Sequence, residues 1–299
     1  MKGIVLAGGS GTRLYPLSRA TSKQLMPIYD KPMIYYPIGT LMLAGITEIL
    51  IITTADHHDD FKRLLGTGEA WGVKFTYAIQ ESPKGLPDAL IIGEQFLDGD
   101  SCALILGDNL FYGMGLGESL REKTKQLVGA RIFCQEVRDP ERYGIVELNQ
   151  DGKVLSIEEK PTNPRSNIAA TGLYFFDSKA PEHAKSLKPS ARGEIEISDL
   201  IQMYLAAGNL ETEILERGVV WLDTGTFESM ASASEFVRVV QGRQGLKISC
   251  PEEIAFKQGL ISLEDLNHIA KSGQGSYFDY LKEVHARNDL VSSRKTEKK

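Results

Sequence analysis

The chain opens with Gly3-Ile4-Val5-Leu6-Ala7-Gly8-Gly9-Ser10-Gly11-Thr12-Arg13-Leu14. An unbroken apolar run passes straight into three glycines and then a guanidinium. A continuous rather than alternating run of this length is expected of a strand buried on both faces, as in a parallel sheet. Glycine allows close approach to a ligand and lets backbone N–H groups turn inward, which suits a phosphate chain. Arg13 adds a planar, permanent charge for phosphate oxygens. Two better-known loops do not fit. A dinucleotide-binding loop needs a third glycine where Leu14 stands, and a Walker A loop needs Gly-Lys-Ser/Thr, which is missing.

Outward from this loop, short apolar strands alternate with helical stretches. Strands are expected at Gly3–Ala7, Glu48–Thr53, Lys74–Gln80, Ala103–Leu106 and Arg131–Val137, and helices near Ile34–Ala44, His58–Leu65 and Leu86–Phe96. This rhythm predicts an α/β fold: a Rossmann-like, mainly parallel sheet flanked by helices. The second half changes character. Gly144–Leu148 and Lys153–Glu158 flank a hairpin turn, and Leu173–Phe176, Glu211–Leu215 and Val219–Leu222 read as further strands. Ile197–Ala207 is an amphipathic helix with Gly208 as its C′ residue. After Phe227 the pattern is helical, over Phe227–Val240, Leu263–Lys271 (capped by Ser262) and Phe278–His285. The expected organisation is an α/β domain over 1–240, α/β in pattern over about 1–130 and β-rich over about 131–226. A helical C-terminal appendage follows over 241–299, ending in a disordered polar tail from Ser292.

The composition excludes several classes. Of 299 residues, 42% are hydrophobic and 25% charged, and the net charge of −6 argues against the chain as a whole binding nucleic acid or an anionic membrane. Apolar runs are too short to span a bilayer. The N-terminus enters a strand at once with no basic leader, so the expected location is cytoplasmic. The three cysteines, Cys102, Cys134 and Cys250, match no metal or redox spacing and read as structural thiols.

Three further features carry chemistry. Lys23, in Ser22-Lys23-Gln24-Leu25-Met26-Pro27, follows the loop closely enough to reach the same phosphates. Gln80 ends a strand, and its amide offers a donor and an acceptor that match the N3–H and a carbonyl of thymine or uracil. Leu104-Ile105-Leu106-Gly107-Asp108-Asn109 and Val219-Val220-Trp221-Leu222-Asp223-Thr224 are apolar strands that each end in an aspartate. Ligands of open α/β sheets bind at such strand ends, and two carboxylates there suit one Mg²⁺ shared with substrate phosphates. An ordinary turn aspartate explains either one alone, but not two beside a phosphate loop.

Leu6-Ala7-Gly8-Gly9-Ser10-Gly11-Thr12-Arg13-Leu14, with Lys23 and Pro27 downstream, resembles the sugar-nucleotidyltransferase family, and the resemblance extends from Met1 to about Arg287. It implies dTTP and glucose 1-phosphate as substrates, dTDP-glucose and pyrophosphate as products, and Mg²⁺ as cofactor. It also implies that about 1–130 is the nucleotide side and about 131–226 a β-rich sugar-binding portion, with a nucleotide site at Gly8, Gly9, Gly11, Thr12, Arg13, Lys23, Gln24, Gln80, Pro83 and Gly85. The sugar phosphate would be held by Asn109, Tyr143, Gly144, Glu159, Lys160, Ala170, Thr171 and Gly172, and the metal by Asp108 and Asp223. Arg13, Lys23, Asp108, Lys160 and Asp223 would be the catalytic set. Similar enzymes form homotetramers with a product-feedback site near the C-terminal helices, for which Leu260–Arg287 is the expected place, and feed dTDP-rhamnose and envelope polysaccharide synthesis.

Thymine and uracil share the edge that Gln80 would read, so UTP use is a live alternative. Two other classes fit less well. A nicotinamide-dependent oxidoreductase would need an acidic residue at the end of the second strand, and Asp30 has the spacing but sits among prolines. A non-catalytic nucleotide sensor would be expected to lack Asp108, Asp223 or Lys160.

Overall fold

A computed structural model describes residues 1–9, 11–125, 127–191 and 193–296, with side chains through Leu290. Its strands are β1 (Lys2–Ala7), β2 (Pro27–Ile28), β3 (Lys31–Pro32), β4 (Glu48–Thr53), β5 (Lys74–Ile79), β6 (Cys102–Leu106), β7 (Asn109–Tyr112), β8 (Ala130–Glu136), β9 (Gly144–Leu148), β10 (Val154–Glu159), β11 (Ile168–Phe176), β12 (Leu210–Ile214) and β13 (Val220–Asp223). Nine of them form one mixed sheet in the order β10-β9-β11-β6-β1-β4-β5, with β8 pairing both β11 and β12. Only β10 and β11 run against the rest, so the sheet is mostly parallel.

Both faces of the sheet are covered, which explains the unbroken apolar runs. Along β1, Val5 and Ala7 pack into one core while Ile4 and Leu6 pack into the other. The same division recurs at Ile49/Ile51 against Leu50/Ile52 in β4, and at Ala103/Ile105 against Cys102/Leu104 in β6. Successive side chains point to opposite faces, so a strand buried on both sides must be apolar at every position. All three cysteines are buried and unpaired.

Topology then places the chemistry. From β1 the chain passes to β4 on one side, and β6 pairs on the other. Because β1, β4, β5 and β6 are parallel, the glycine loop after β1, Gln80 after β5 and Asp108 after β6 all leave the same edge of the sheet. That edge, at a strand-order switch, is where open α/β sheets bind ligands. The separate pair β13–β7, with Asp223 opposite Asn109, brings the second aspartate there.

Several boundaries differ from the sequence pattern. The helix expected over Leu86–Phe96 is two short helices, Asp88–Ile92 and Glu94–Leu97. Gly93 lies at the break, where a Cβ would come within 2.8 Å of Ile4 in β1. Strand β11 begins at Ile168, well before Leu173, and its pairing with β8 shifts register between Ala170 and Tyr174. The expected disordered tail from Ser292 is instead helical to Thr296, since the last helix runs from Ser276 to Thr296; residues 297–299 lie outside those described. Among the described residues no helix is long and apolar enough to cross a membrane.

The hairpin β2–β3 is fastened to the helix Phe227–Gln244 and the segment after it by buried charge. Lys31, 3% exposed, holds Asp30 at 2.6 Å, and Asp30 also pairs with Lys247 and accepts from Gln241 Nε2 at 2.9 Å. Burial alone would raise the Asp30 pKa, but Lys31, Lys247 and Gln241 outweigh it and hold it below the ordinary aspartate value. A carboxyl depressed in the folded state contributes stability above its unfolded pKa and loses it as pH falls through the folded one. Asp30→Ala would leave the Lys31 ammonium buried without its carboxylate. Its expected cost is about 3–5 kcal/mol at neutral pH, read from the urea midpoint, and this difference from the parent should shrink as the solution is acidified.

Candidate active site

One cavity of about 250 Å³ is lined by Arg13, Asp108, Asn109, Tyr143, Gly144, Glu159, Lys160, Ala170, Thr171, Gly172 and Asp223. These residues come from the glycine loop, the ends of β6, β10 and β13, the start of β9 and the register shift in β11. A wider cavity of about 700 Å³ lies between the helix Leu116–Lys123, Leu246–Cys250 and Glu253–Lys257. The smaller one is the better candidate for chemistry, because cations and carboxylates converge there at the ligand-binding edge of the sheet.

Asp108 is its centre. One carboxylate oxygen is ion-paired with Lys23, and the other accepts from Asn109 Nδ2 at 3.0 Å. Burial pushes the Asp108 pKa upward, but the Lys23 ammonium and these hydrogen bonds outweigh it, so the carboxyl lies below its ordinary value and is ionised at neutral pH. The backbone is fixed from across the sheet pair: the Asp108 carbonyl accepts from Thr224 N at 3.1 Å and Thr224 Oγ1 at 2.7 Å.

Asp223 follows from the same pairing. Its carboxylate accepts from Arg142 at 3.0 Å and Tyr143 Oη at 2.9 Å. Burial, and then the Asp223 charge, push the Tyr143 hydroxyl far above its ordinary pKa, so it remains a donor. Among the described residues no three His, Cys, Asp or Glu side chains are grouped to hold a metal ion. The donor set is therefore two carboxylates on paired strands opening onto one cavity. That suits a hard cation whose remaining ligands are water and substrate phosphate oxygens.

Asn109, expected beside the sugar, lines the cavity but is 2% exposed and acts as a brace. Its Oδ1 accepts from Gly172 N at 3.2 Å and from Trp221 Nε1, while Nδ2 orients Asp108. A Cβ on Gly172 would lie 2.5 Å from that Oδ1, so the shift in β11 requires glycine. Lys160 sits just past β10 in a left-handed conformation, φ 46°, with its N–H on the Tyr143 carbonyl at 3.0 Å and its ammonium 3.5 Å from Glu159. Gly144 faces Glu159: a Cβ there would lie 3.2 Å from the carboxylate.

The nucleotide-side residues adjoin this cavity without lining it, apart from Arg13. Gly9 and Gly11 both have positive φ, at 106° and 58°. Gly11 packs on Ser18 and Lys23, which places the loop beside the lysine that pairs with Asp108. Thr12 starts a short 3-10 turn that carries Arg13, whose guanidinium lies against Gly225. Ser10, within the loop, lies outside the described residues. Gln24 is buried, and its Oε1 accepts from Ser22 Oγ at 2.8 Å. Gln80 is 5% exposed, and its Oε1 lies 2.7 Å from where a Gly8 Cβ would be. Gly85 differs in its reason. The space a side chain would take is occupied by the Ile195 carbonyl, 2.0 Å from a Cβ, rather than left open for a flat ring. Pro83 is exposed in the loop before it.

Sequence reasoning missed Arg142, Thr224, Trp221 and Asp88. The first lies in Asp139-Pro140-Glu141-Arg142-Tyr143-Gly144, next to the expected Tyr143 and Gly144, but its partner is 81 residues away. Asp88, 8% exposed, accepts from Gln80 Nε2 at 2.8 Å.

The sequence profile of the nucleotidyl transferase family matches residues 2–239. Glucose-1-phosphate thymidylyltransferase of Neisseria meningitidis serogroup A is 54% identical over 282 residues, covering 94% of this chain and 98% of the relative. The enzyme of the same name from Mycobacterium tuberculosis is 52% identical over 281 residues, covering 93% and 97%. A crystal structure from Bacillus anthracis, described as a glucose-1-phosphate thymidylyltransferase with bound sucrose, superposes with a TM-score of 0.74 at 42% identity, covering 80% of this chain and 95% of that one. A UDP-glucose pyrophosphorylase with bound UDP-glucose superposes at 0.70 and 23% identity, covering 80% of this chain and 98% of that one, which is a likeness of fold.

Gly172→Ala is expected to drive Asn109 off its bonds to Gly172 and Trp221. The predicted result is a loss of about 1–3 kcal/mol in thermal unfolding together with reduced activity. A variant as stable and active as the parent would remove Asn109 as the brace.

Proposed function

The chain belongs to the nucleotidyl transferase family, and from that premise we propose that it transfers the thymidylyl group of dTTP to glucose 1-phosphate, yielding dTDP-glucose and pyrophosphate. The observation that carries this reading is the convergence of Arg13, Lys160, Asp108 and Asp223 on one cavity beside a glycine loop. The names of the relatives that cover nearly all of the chain supply the substrates.

In the proposed reaction the sugar phosphate attacks the α-phosphorus in line, and the bond to the departing pyrophosphate breaks. A sugar 1-phosphate is close to a dianion at neutral pH, with a second pKa of about 6, so no strong general base is required. The barrier is repulsion between two polyanions, and alignment with charge neutralisation lowers it. The N–H groups of the glycine loop and Arg13 hold the triphosphate. Lys160 holds the attacking phosphate, and Glu159 and the Gly144 backbone face the sugar hydroxyls. Gln80 reads the pyrimidine edge. Asp108 and Asp223 would hold Mg²⁺, which supplies charge neutralisation on the phosphates. Lys23 occupies Asp108 in the structure. Lys23 also lies beside Gly11, within reach of phosphates held by that loop.

The same proposal includes a homotetramer, a cytoplasmic location and a product that feeds dTDP-rhamnose and envelope polysaccharide synthesis. The chemistry of the cavity depends on none of these.

Pyrophosphate release is the direct test, with Mg²⁺, glucose 1-phosphate and each of dTTP, UTP, ATP, CTP and GTP. Release is expected with dTTP and to require both metal and sugar phosphate; UTP used equally well would widen the base preference, and no release with any triphosphate would refute the reaction. Asp108→Asn is expected to reduce turnover by about 10²–10³-fold or more while leaving the fold intact, and unchanged turnover would remove the metal assignment. The pH profile should follow the substrate. With the Asp108 pKa depressed, kcat/KM for glucose 1-phosphate should fall below about pH 6 as its phosphate takes up a proton.

A further inference from the structure

Gln80 and Asp88 form a buried pair at the edge of the glycine loop, and the pairing is chemically one-sided. An ionised carboxylate only accepts hydrogen bonds, whereas the two ends of an amide differ. Asp88 therefore takes Nε2 of Gln80, at 2.8 Å, and fixes which way the amide lies. Oε1 is left pointing at Gly8, where a Cβ would come within 2.7 Å, and among the described residues it has no hydrogen-bond donor. Gly8 thus keeps open the one acceptor that Asp88 has oriented, and the second Nε2 hydrogen remains beside it.

We propose that Asp88 is a positioning residue that sets base specificity, by holding the Gln80 amide so that an acceptor, not a donor, faces the base. This rests on the reading of Gln80 as the group that meets the pyrimidine. Thymine and uracil present an N3–H donor flanked by carbonyls, which a fixed Oε1 with a neighbouring N–H matches. Cytosine presents the reverse, an N3 acceptor beside an amino group. A free amide satisfies either pattern by turning through 180°, but an amide tied to a carboxylate does not. Selection against cytosine then comes from a residue that need not touch the base.

The test compares kcat/KM for dTTP and CTP, with CTP scored as substrate or as competitive inhibitor. Asp88→Asn keeps the size of the side chain but both donates and accepts, so it releases the amide. Asp88→Ser does the same with a smaller group if the first variant is unstable. The expected result is a fall of at least about tenfold in the dTTP:CTP ratio, carried by nucleotide KM, with KM for glucose 1-phosphate unchanged. In a Gln80→Ala background, Asp88→Asn should leave the ratio where Gln80→Ala put it. A ratio that stays within about twofold of the parent in both Asp88 variants, while Gln80→Ala does change it, overturns the role of Asp88 alone. A ratio unmoved by Gln80→Ala overturns the base-pocket reading beneath it.

Discussion

The site depends on one pairing, that of β13 on β7. It sets Asp223 opposite Asn109, and Thr224 then donates twice to the carbonyl of Asp108. Two aspartates 115 residues apart in sequence are thereby fixed at the mouth of one cavity. Each carboxylate that lines the cavity has its own partners. Lys23 and Asn109 serve Asp108, while Arg142 and Tyr143 serve Asp223. A buried carboxylate left without partners would be costly, and Lys23 with Asn109 prevents that at Asp108.

The sheet supplies the other half of the arrangement. Parallel strands deliver their C-terminal ends to one edge, so three stretches distant in sequence meet there without any long loop. The glycine loop, Gln80 and Asp108 each begin within two residues of the end of a parallel strand, β1, β5 and β6. Strands β9, β10 and β11 beyond β6 add Gly144, Glu159 and Gly172, and the pairing of β11 with β8 shifts register beside the cavity, between Ala170 and Tyr174. Arg13, Asp108, Lys160 and Asp223 are already in place around the cavity, an arrangement that suits a reaction limited by electrostatic repulsion.

What the sequence revealed divides along physical lines. Features set by local chemistry were legible: the apolar runs of β1, β4 and β6, the glycine loop with Arg13, the hairpin of β9 and β10, and an aspartate ending each of two strands. Features set by long-range partners were not. Asn109 is expected at the sugar phosphate, and its bonds from Trp221 and Gly172 emerge only in the fold. Gln24 is expected at the nucleotide, and its burial and its bond from Ser22 likewise emerge only there. Gly85 is necessary, but because Ile195 crosses it. The helix over Leu86–Phe96 breaks at Gly93, where Ile4 of the central strand leaves no room for a side chain, a constraint with no local signature. Asp88 had no signal of its own, since its meaning lies in the amide it orients.

The central claim is that nucleotide and sugar phosphate meet between the glycine loop and Lys160. A crystal structure with dTDP-glucose and Mg²⁺ tests it most directly. The account predicts thymine at Gln80, the diphosphate between the Gly8–Gly11 loop and Lys160, and the metal on Asp108 and Asp223. Product bound only in the wider cavity at Leu116–Lys123 and Leu246–Cys250, with the cavity around Asp108 empty, would contradict it.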